Sequence, residues 1–359
     1  MAQTAADTLA ERLGGAALGA YELLTVYLGH RLGLYRALAE RDDATPAELA
    51  EATGTNERYA REWLEQQAVA GILAVDDAGA ASGERRYAIP AGHEEVLLDP
   101  ESLAYIVPMA RFAVSFTSVL PALEEAFRSG GGVAWTAYGE EGREAQAAAN
   151  RPQFAHLLAS EWLPAMPDVH ERLSADPPAA IADVACGAGW SSIALARGYP
   201  KATVDGYDVD GASVELARAN AAEAGLGERV RFHLRDAGDP ELAGRYDLVT
   251  IFESVHDMSR PVEVLRAVRG LAGEGGAVLV VDEKVADTFE APGDEIERLM
   301  YTYSVLCCLP VGMSETPSAA TGTVMRTDTL RRYALDAGFA DLEVLPVEHD
   351  FFRLYRLRP

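Results

Sequence analysis

Basic residues are scarce in this 359-residue chain: 31 lysines and arginines stand against 56 aspartates and glutamates, a formal charge of −25. So acidic a surface repels nucleic-acid phosphates and anionic membranes, and favours small neutral or cationic ligands. Long apolar runs are missing as well, since no stretch approaches the ~18 uninterrupted apolar residues of a membrane-spanning helix. Residues 1–24 carry Asp7, Glu11 and Glu22 where a targeting leader would be basic, so a cytoplasmic location is expected. Cysteines number three, Cys186 and the adjacent pair Cys307-Cys308. They fit neither a zinc spacing nor a disulfide framework, so no metal site is expected. Internal repeats are absent too. What remains is 49% hydrophobic, enough at this length for two domain cores.

Against that background the segment from Ile181 to Trp190 stands out, a buried strand breaking into the turn Cys186-Gly187-Ala188-Gly189 ahead of a helix. Glycines without Cβ let a ligand approach the main chain, and the helix start presents unpaired N–H donors. Asp208, at the end of the next candidate strand, is placed to bind the two hydroxyls of a ribose. Its alternative use is helix capping, common for aspartate at such turns. A dinucleotide fingerprint would need a third glycine where Ser192 stands, and no Lys/Arg cluster awaits phosphates near the turn, so a nicotinamide cofactor is disfavoured. Strand-like runs at residues 181–185, 203–209, 230–235, 246–253 and 277–282 alternate with helical ones at 212–224 and 261–272. That is the pattern of an α/β doubly wound, mostly parallel sheet. Two final β-rich runs, 341–347 and 351–358, are separated only by Glu348-His349-Asp350, which forces an antiparallel hairpin and completes a seven-stranded sheet.

This order of motifs resembles the class I S-adenosylmethionine-dependent methyltransferases over residues 176–359. Asp183 to Gly189 matches the family's first motif, except that Ala185 stands where glycine is usual, which is expected to narrow the pocket slightly. By the resemblance, S-adenosylmethionine is the cofactor, held by Asp183, Gly187, Gly189, Asp208, Asp236, Ala237 and Glu253. A pocket rimmed by carboxylates suits a sulfonium cation better than a pyrophosphate.

The prolines around residues 174–180 mark a boundary between an N-terminal domain, 1–173, and a catalytic domain, 174–359. Upstream, Thr45 caps a short helix and Asn56 caps a second. Residues 71–75 and 85–89 can then pair as a wing, which gives a mainly α-helical winged-helix domain. A DNA-reading helix would be basic, yet residues 45–75 hold only Arg58 and Arg61 against Glu48, Glu51, Glu57, Glu62 and Glu65. Domain order is similar to that of small-molecule O-methyltransferases of plants and actinobacteria, where such a domain dimerises the protein and walls the substrate pocket. The helix at 20–39 and the apolar run at 106–120 therefore either meet a second subunit of a homodimer or form ordinary core. The glycine-rich stretch 130–139 reads as a mobile loop.

Methyl transfer to a hydroxyl needs a group that accepts a proton beside the methyl carbon. His256 lies just past the fourth strand, where open α/β sheets bind ligands, and His256-Asp257 matches the family's His-Asp pair, whose histidine is the general base. The alternative is a histidine that lines the pocket. Asp282, or its neighbour Glu283, can supply one of two flanking carboxylates; the second position falls near Met325, which cannot serve. Residues 284–326 form an insertion that is either a substrate lid or a helix packed on the N-terminal domain. The expected function is methylation of a small apolar or aromatic acceptor, most naturally at oxygen. The rivals are a non-methylating reaction on the same fold and a cofactor-sensing regulator that binds DNA.

Overall fold

The computed structural model describes residues 4–237, 239, 246–272 and 275–358. Two compact units result, one of residues 1–117 with 144–152, the other of 118–143 with 153–359. Segments 118–143 and 153–173 thus group with the sheet, not with the helical unit to which a boundary at residue 173 assigns them.

In the first unit α1 (Ala5–Arg31) and α2 (Leu34–Ala39) are separated by Gly33, whose φ of 69° ends the continuous helix expected at 20–39. Thr45 opens α3 (Pro46–Thr53) through a reciprocal capping box with Glu48, and the Asn56 side chain caps α4 (Glu57–Val69). The wing is short: β1 (Ala74–Val75) pairs antiparallel with β2 (Tyr87–Ala88). Helix α5 (His93–Leu97) follows. Tyr35, Leu38, Leu49, Leu64, Leu73 and Tyr87 form the core of this unit.

Helices α6 (Val107–Ser129) and α7 (Gly139–Gln153) lead through a π-helical stretch, Phe154–Trp162, to α8 (Pro167–Ser174). The sheet unit then runs β3 (Ala180–Val184), α9 (Trp190–Gly198), β4 (Thr203–Asp208), α10 (Gly211–Glu223), β5 (Val230–Leu234), β6 (Leu248–Phe252), α11 (Pro261–Ala272) and β7 (Ala277–Glu283). After α12 (Glu295–Tyr303), α13 (Leu309–Gly312) and α14 (Thr327–Asp336) come β8 (Asp341–Val344) and β9 (Phe352–Arg358). Spatial order is β5-β4-β3-β6-β7-β9-β8. The first five strands are parallel, while β9 pairs antiparallel with both β7 and β8.

Every residue of β6 and β7 is buried, as a sheet covered on both faces requires. Alternation sorts them: Ala277, Leu279 and Val281 join the core formed with Leu158, Trp162 and Ile193. Val278 and Val280 face Leu265, Val268 and Leu330 instead. At the foot of the sheet the Asp247 carboxylate accepts from Ala180 N at 2.8 Å and from Arg172 Nε at 2.7 Å, tying α8 to the start of two central strands.

The glycine stretch at 130–139 is packed rather than loose. A Cβ on Gly132 would lie 2.3 Å from the Met313 backbone, and Val133 N donates to Pro310 O. Trp135–Tyr138 forms a 3-10 turn whose Tyr138 hydroxyl donates to Leu306 O at 2.8 Å. The missing Cβ at Gly132 serves close backbone approach here, not mobility.

Inside the sheet, Gly206 gives room to the Phe232 ring, since a Cβ there would lie 2.6 Å from Phe232 Cδ1 and 2.9 Å from Cys186 Sγ. Gly206→Ala is therefore expected to lower stability by about 1–3 kcal/mol through overpacking. Urea denaturation followed by circular dichroism measures this, and an unchanged midpoint would mean that the ring shifts freely.

Candidate functional site

Strand order reverses between β3 and β6, which opens a crevice beyond their carboxyl ends. Among the described residues, two of the four non-glycine ones with positive φ flank this point: Ala185 (φ 56°) just after β3 and Glu253 (φ 48°) just after β6. Left-handed backbone costs an L-residue about 1–2 kcal/mol, and such strain clusters at functional sites. The usual glycine at position 185 is thus explained by backbone conformation.

Asp183 is wholly buried. Its Oδ2 accepts from the hydroxyls of Ser191 and Ser192, each at 2.6 Å, and its Oδ1 from Thr250 Oγ1 at 2.9 Å. Burial raises its pKa, and the three hydroxyls oppose that rise. It presents no surface to a ligand. Its part is to fasten the first turn of α9 and strand β6 to β3, which also accounts for Ser192 where a dinucleotide site would have glycine.

The two glycines of the turn do different work. Gly187 (φ 52°) has open space where a Cβ would project, and its N–H donates to Asp208 Oδ2 at 2.8 Å. Gly189 (φ 79°) faces inward, where a Cβ would lie 2.5 Å from Phe232 Cζ. Gly187 is therefore the position at which a ligand can approach the main chain, whereas Gly189 is needed for the turn and for packing. Asp208 Oδ1 also accepts from Asp210 N at 2.8 Å. Each oxygen keeps a lone pair for a ribose hydroxyl, and burial raises the pKa of this carboxylate.

Asp236, exposed, and Ala237, buried, follow β5 at the same edge of the sheet. Arginines nearby are engaged: Arg235 pairs with Asp239 at 2.8 Å, and Arg143 lies 4.0 Å from Asp210. An open glycine cradle beside acidic groups fits a nucleoside carrying positive charge better than it fits a pyrophosphate.

His256 sits in the 3-10 turn Val255–Asp257 and is 2% exposed. Its Nδ1 lies 2.7 Å from Asp282 Oδ1 and 2.9 Å from Glu283 Oε2, so both residues at the end of β7 reach one ring nitrogen. Glu283, adjacent in sequence, supplies the second carboxylate, and Met325 is buried in an apolar core instead. Burial favours a neutral imidazole, but Glu283, Asp282 and Cys308 outweigh it and raise the His256 pKa well above its ordinary value. Burial pushes the Glu283 pKa up to about 7. His256, Asp282 and Glu283 bring ligand-type atoms within 4.8 Å of one another. That spacing is also the one made by a hydrogen-bonding imidazole, and no metal is needed to explain it.

The insertion at 284–326 packs on this turn. Gly322 N donates to His256 O at 3.0 Å, Ala319 N to Ser259 O at 2.8 Å, and Ser259 Oγ to Gly312 O at 2.8 Å. Sequence reasoning missed this anchoring, because the pairings join residues far apart in the chain.

Comparison with known proteins is consistent with this geometry. Residues 176–319 match a methyltransferase domain family, and residues 20–98 match the Rv2258c-like winged HTH domain. Methyltransferase GfsG of Streptomyces halstedii is 32% identical over 123 residues, covering 34% of this chain and 44% of that protein. The ribosomal protein uL3 glutamine methyltransferase of Bradyrhizobium diazoefficiens is 35% identical over 99 residues, 27% of this chain and 31% of that one. The chain therefore spans less than half the length of these curated relatives. Along nearly its whole length the fold is similar to that of the mitomycin 7-O-methyltransferase MmcR, with a TM-score of 0.68, 20% identity and 99% coverage of both chains. Human N-acetylserotonin methyltransferase, solved with S-adenosylmethionine, gives a TM-score of 0.72 at 17% identity, covering 100% of this chain and 99% of that one. Both family matches and the fold agree: a methyltransferase domain over residues 176–319 follows a winged-helix domain over residues 20–98.

Proposed function

We propose that this protein transfers a methyl group from S-adenosylmethionine to a small apolar or aromatic acceptor, at oxygen, with His256 as the proton acceptor. The buried His256–Asp282 contact at 2.7 Å, beside an acidic glycine-turn crevice, carries this reading. When bound, the cofactor supplies an electrophilic methyl group. Asp208 and Gly187 would hold its ribose, and Asp236 and Ala237 its base. Asp282 engages Nδ1 of His256 and leaves Nε2 to take the acceptor's proton, and the imidazolium so formed is stabilised by two carboxylates. The apolar insertion over the turn excludes water.

Incubation with methyl-labelled S-adenosylmethionine and a panel of hydroxylated aromatic compounds is expected to give a labelled ether. His256→Gln should lower turnover by about 10²–10⁴-fold. Since His256 must be deprotonated to act and its pKa is raised, kcat should climb with pH, its midpoint lying above the ordinary imidazole value of about 6.5. Asp282→Asn removes one of the charges that raise it and should move that midpoint to lower pH. Full turnover by His256→Gln, or a rate independent of pH from 6 to 9, would contradict the assignment.

We further propose that the first unit serves assembly rather than DNA binding. The two arginines of α4 are taken up within the helix, Arg58 by Glu62 at 2.5 Å and Arg61 by Glu57 at 3.2 Å. Helix α1, by contrast, exposes Leu13, Leu18, Tyr21 and Leu28 by 53%, 60%, 66% and 48%. An apolar stripe of that kind suits a second copy of the chain, in a homodimer. Sedimentation equilibrium should give a dimer that Leu18→Glu with Tyr21→Glu dissociates; a monomeric wild type at tens of micromolar would refute it. Among the described residues no helix is long and apolar enough to cross a membrane.

A further inference from the structure

The insertion between β7 and α14 leaves and rejoins the sheet beside His256, and one buried ion pair closes its neck. The departing chain runs from Asp282 and Glu283, the last residues of β7, to Ala286. The returning chain runs from Gly322, whose N–H donates to His256 O at 3.0 Å, to Arg326 at the start of α14. Glu297 of α12 joins the two. Its Oε2 accepts from Ala286 N at 3.0 Å and its Oε1 from Arg326 Nη2 at 3.0 Å, while Arg326 Nη1 donates to Ala286 O. We propose that Glu297 and Arg326 are positioning residues for His256, holding the returning chain so that the imidazole stays against the carboxylates of β7.

Glu297 forgoes a local partner to do this. It lies in the first turn of a helix capped by Asp294, whose Oδ1 accepts from Glu297 N at 2.8 Å. A glutamate at that place ordinarily reaches back to the N–H of the capping residue. Here the carboxylate turns to Ala286 and Arg326 instead, and Gly293 leaves it room, since a Cβ there would lie 3.1 Å from Glu297 Cγ. Glu297 is 5% exposed. A buried ion pair is a poor source of stability, because desolvation offsets most of the attraction. What this one supplies is geometry: a guanidinium fork and a carboxylate together grip the N–H and the C=O of one residue.

The segment between Gly322 and Arg326 can pass that geometry on. Thr323 and Met325 are fully buried, and Met325 N donates to Thr323 O at 2.8 Å. Gly322 is wedged at φ 74°, where a Cβ would collide with Ser304 Oγ. A second arginine braces the same neck: Arg353, opposite Asp282 in the β7–β9 register, donates to Thr327 Oγ1 at 2.7 Å and lies 3.2 Å from Asp287. His256 meets Asp282 at 2.7 Å and Glu283 at 2.9 Å, so a displacement of its turn by about 1 Å would break both contacts, and an error of that size can cost about 10²-fold in rate.

The inference rests on His256 as the proton acceptor, and two variants test it. Glu297→Gln removes one charge of the pair, whereas Arg326→Lys keeps both charges and removes the fork. Glu283, Asp282 and Cys308, which raise the His256 pKa, are unchanged in both. NMR of the full-length chain, labelled at histidine, follows the imidazole through a pH titration, with the His256 resonance identified by its loss in His256→Gln. Each variant, shown by circular dichroism to be folded, is expected to move the titration to lower pH, because the carboxylates that favour the charged ring are no longer held against it. Each should also lower kcat by about 10–100-fold while binding S-adenosylhomocysteine as the wild type does. An unmoved titration in Arg326→Lys would overturn the inference, as would a loss of turnover accounted for by weaker cofactor binding alone. If only one variant folds, its titration decides. Full turnover by His256→Gln would remove the base assignment instead, and a titration shift in Arg326→Lys would still show that the pair positions the ring.

Discussion

A single buried carboxylate, that of Asp183, holds the catalytic edge of the sheet together. It lies at the end of a central strand with no access to water, where an unsatisfied charge would cost several kcal/mol. Three hydroxyls meet it, two from the first turn of α9 and one from β6. Those contacts lock the turn between strand and helix, and the locked turn aims Gly187 N–H at Asp208. Crevice, Asp208 and helix start thus depend on a residue that has no exposed surface itself.

Across the crevice a second array follows the same logic with different chemistry. His256 has two carboxylates on one ring nitrogen, Asp282 at 2.7 Å and Glu283 at 2.9 Å. Both carboxylates favour the charged ring and raise its pKa against the effect of burial. Backbone strain at Ala185 and Glu253 lies between the two arrays, where β3 and β6 part. Its cost is sustained by strands buried on both faces, which cannot relax without opening the core.

Much of this was legible from local pattern. The glycine turn, the five parallel strands, the capping residues Thr45 and Asn56 and the antiparallel finish each carry their signal within a few neighbouring residues. Pairings made by the tertiary fold carried none. The Ile181–Val184 run showed a buried strand but not that Asp183 would be saturated by Ser191, Ser192 and Thr250. Gly187 and Gly189 look alike in sequence, yet one opens to a ligand and the other yields to Phe232. The stretch at 130–139 read as a loop because glycine signals flexibility and close packing with the same letter. Sequence offered Glu283 only as an alternative to Asp282; that both reach His256 Nδ1 became visible only once the end of β7 met the turn.

Calorimetric titration with S-adenosylhomocysteine, with NAD as control, tests most directly whether the crevice beyond β3 and β6 is a nucleoside site. Micromolar binding of the former and not of NAD is expected, weakened in Asp208→Ala by about 1–3 kcal/mol, roughly 5–150-fold in Kd. A wild-type protein that binds no S-adenosylhomocysteine, or an Asp208→Ala variant that binds it unchanged, would contradict the placement of the cofactor against Asp208.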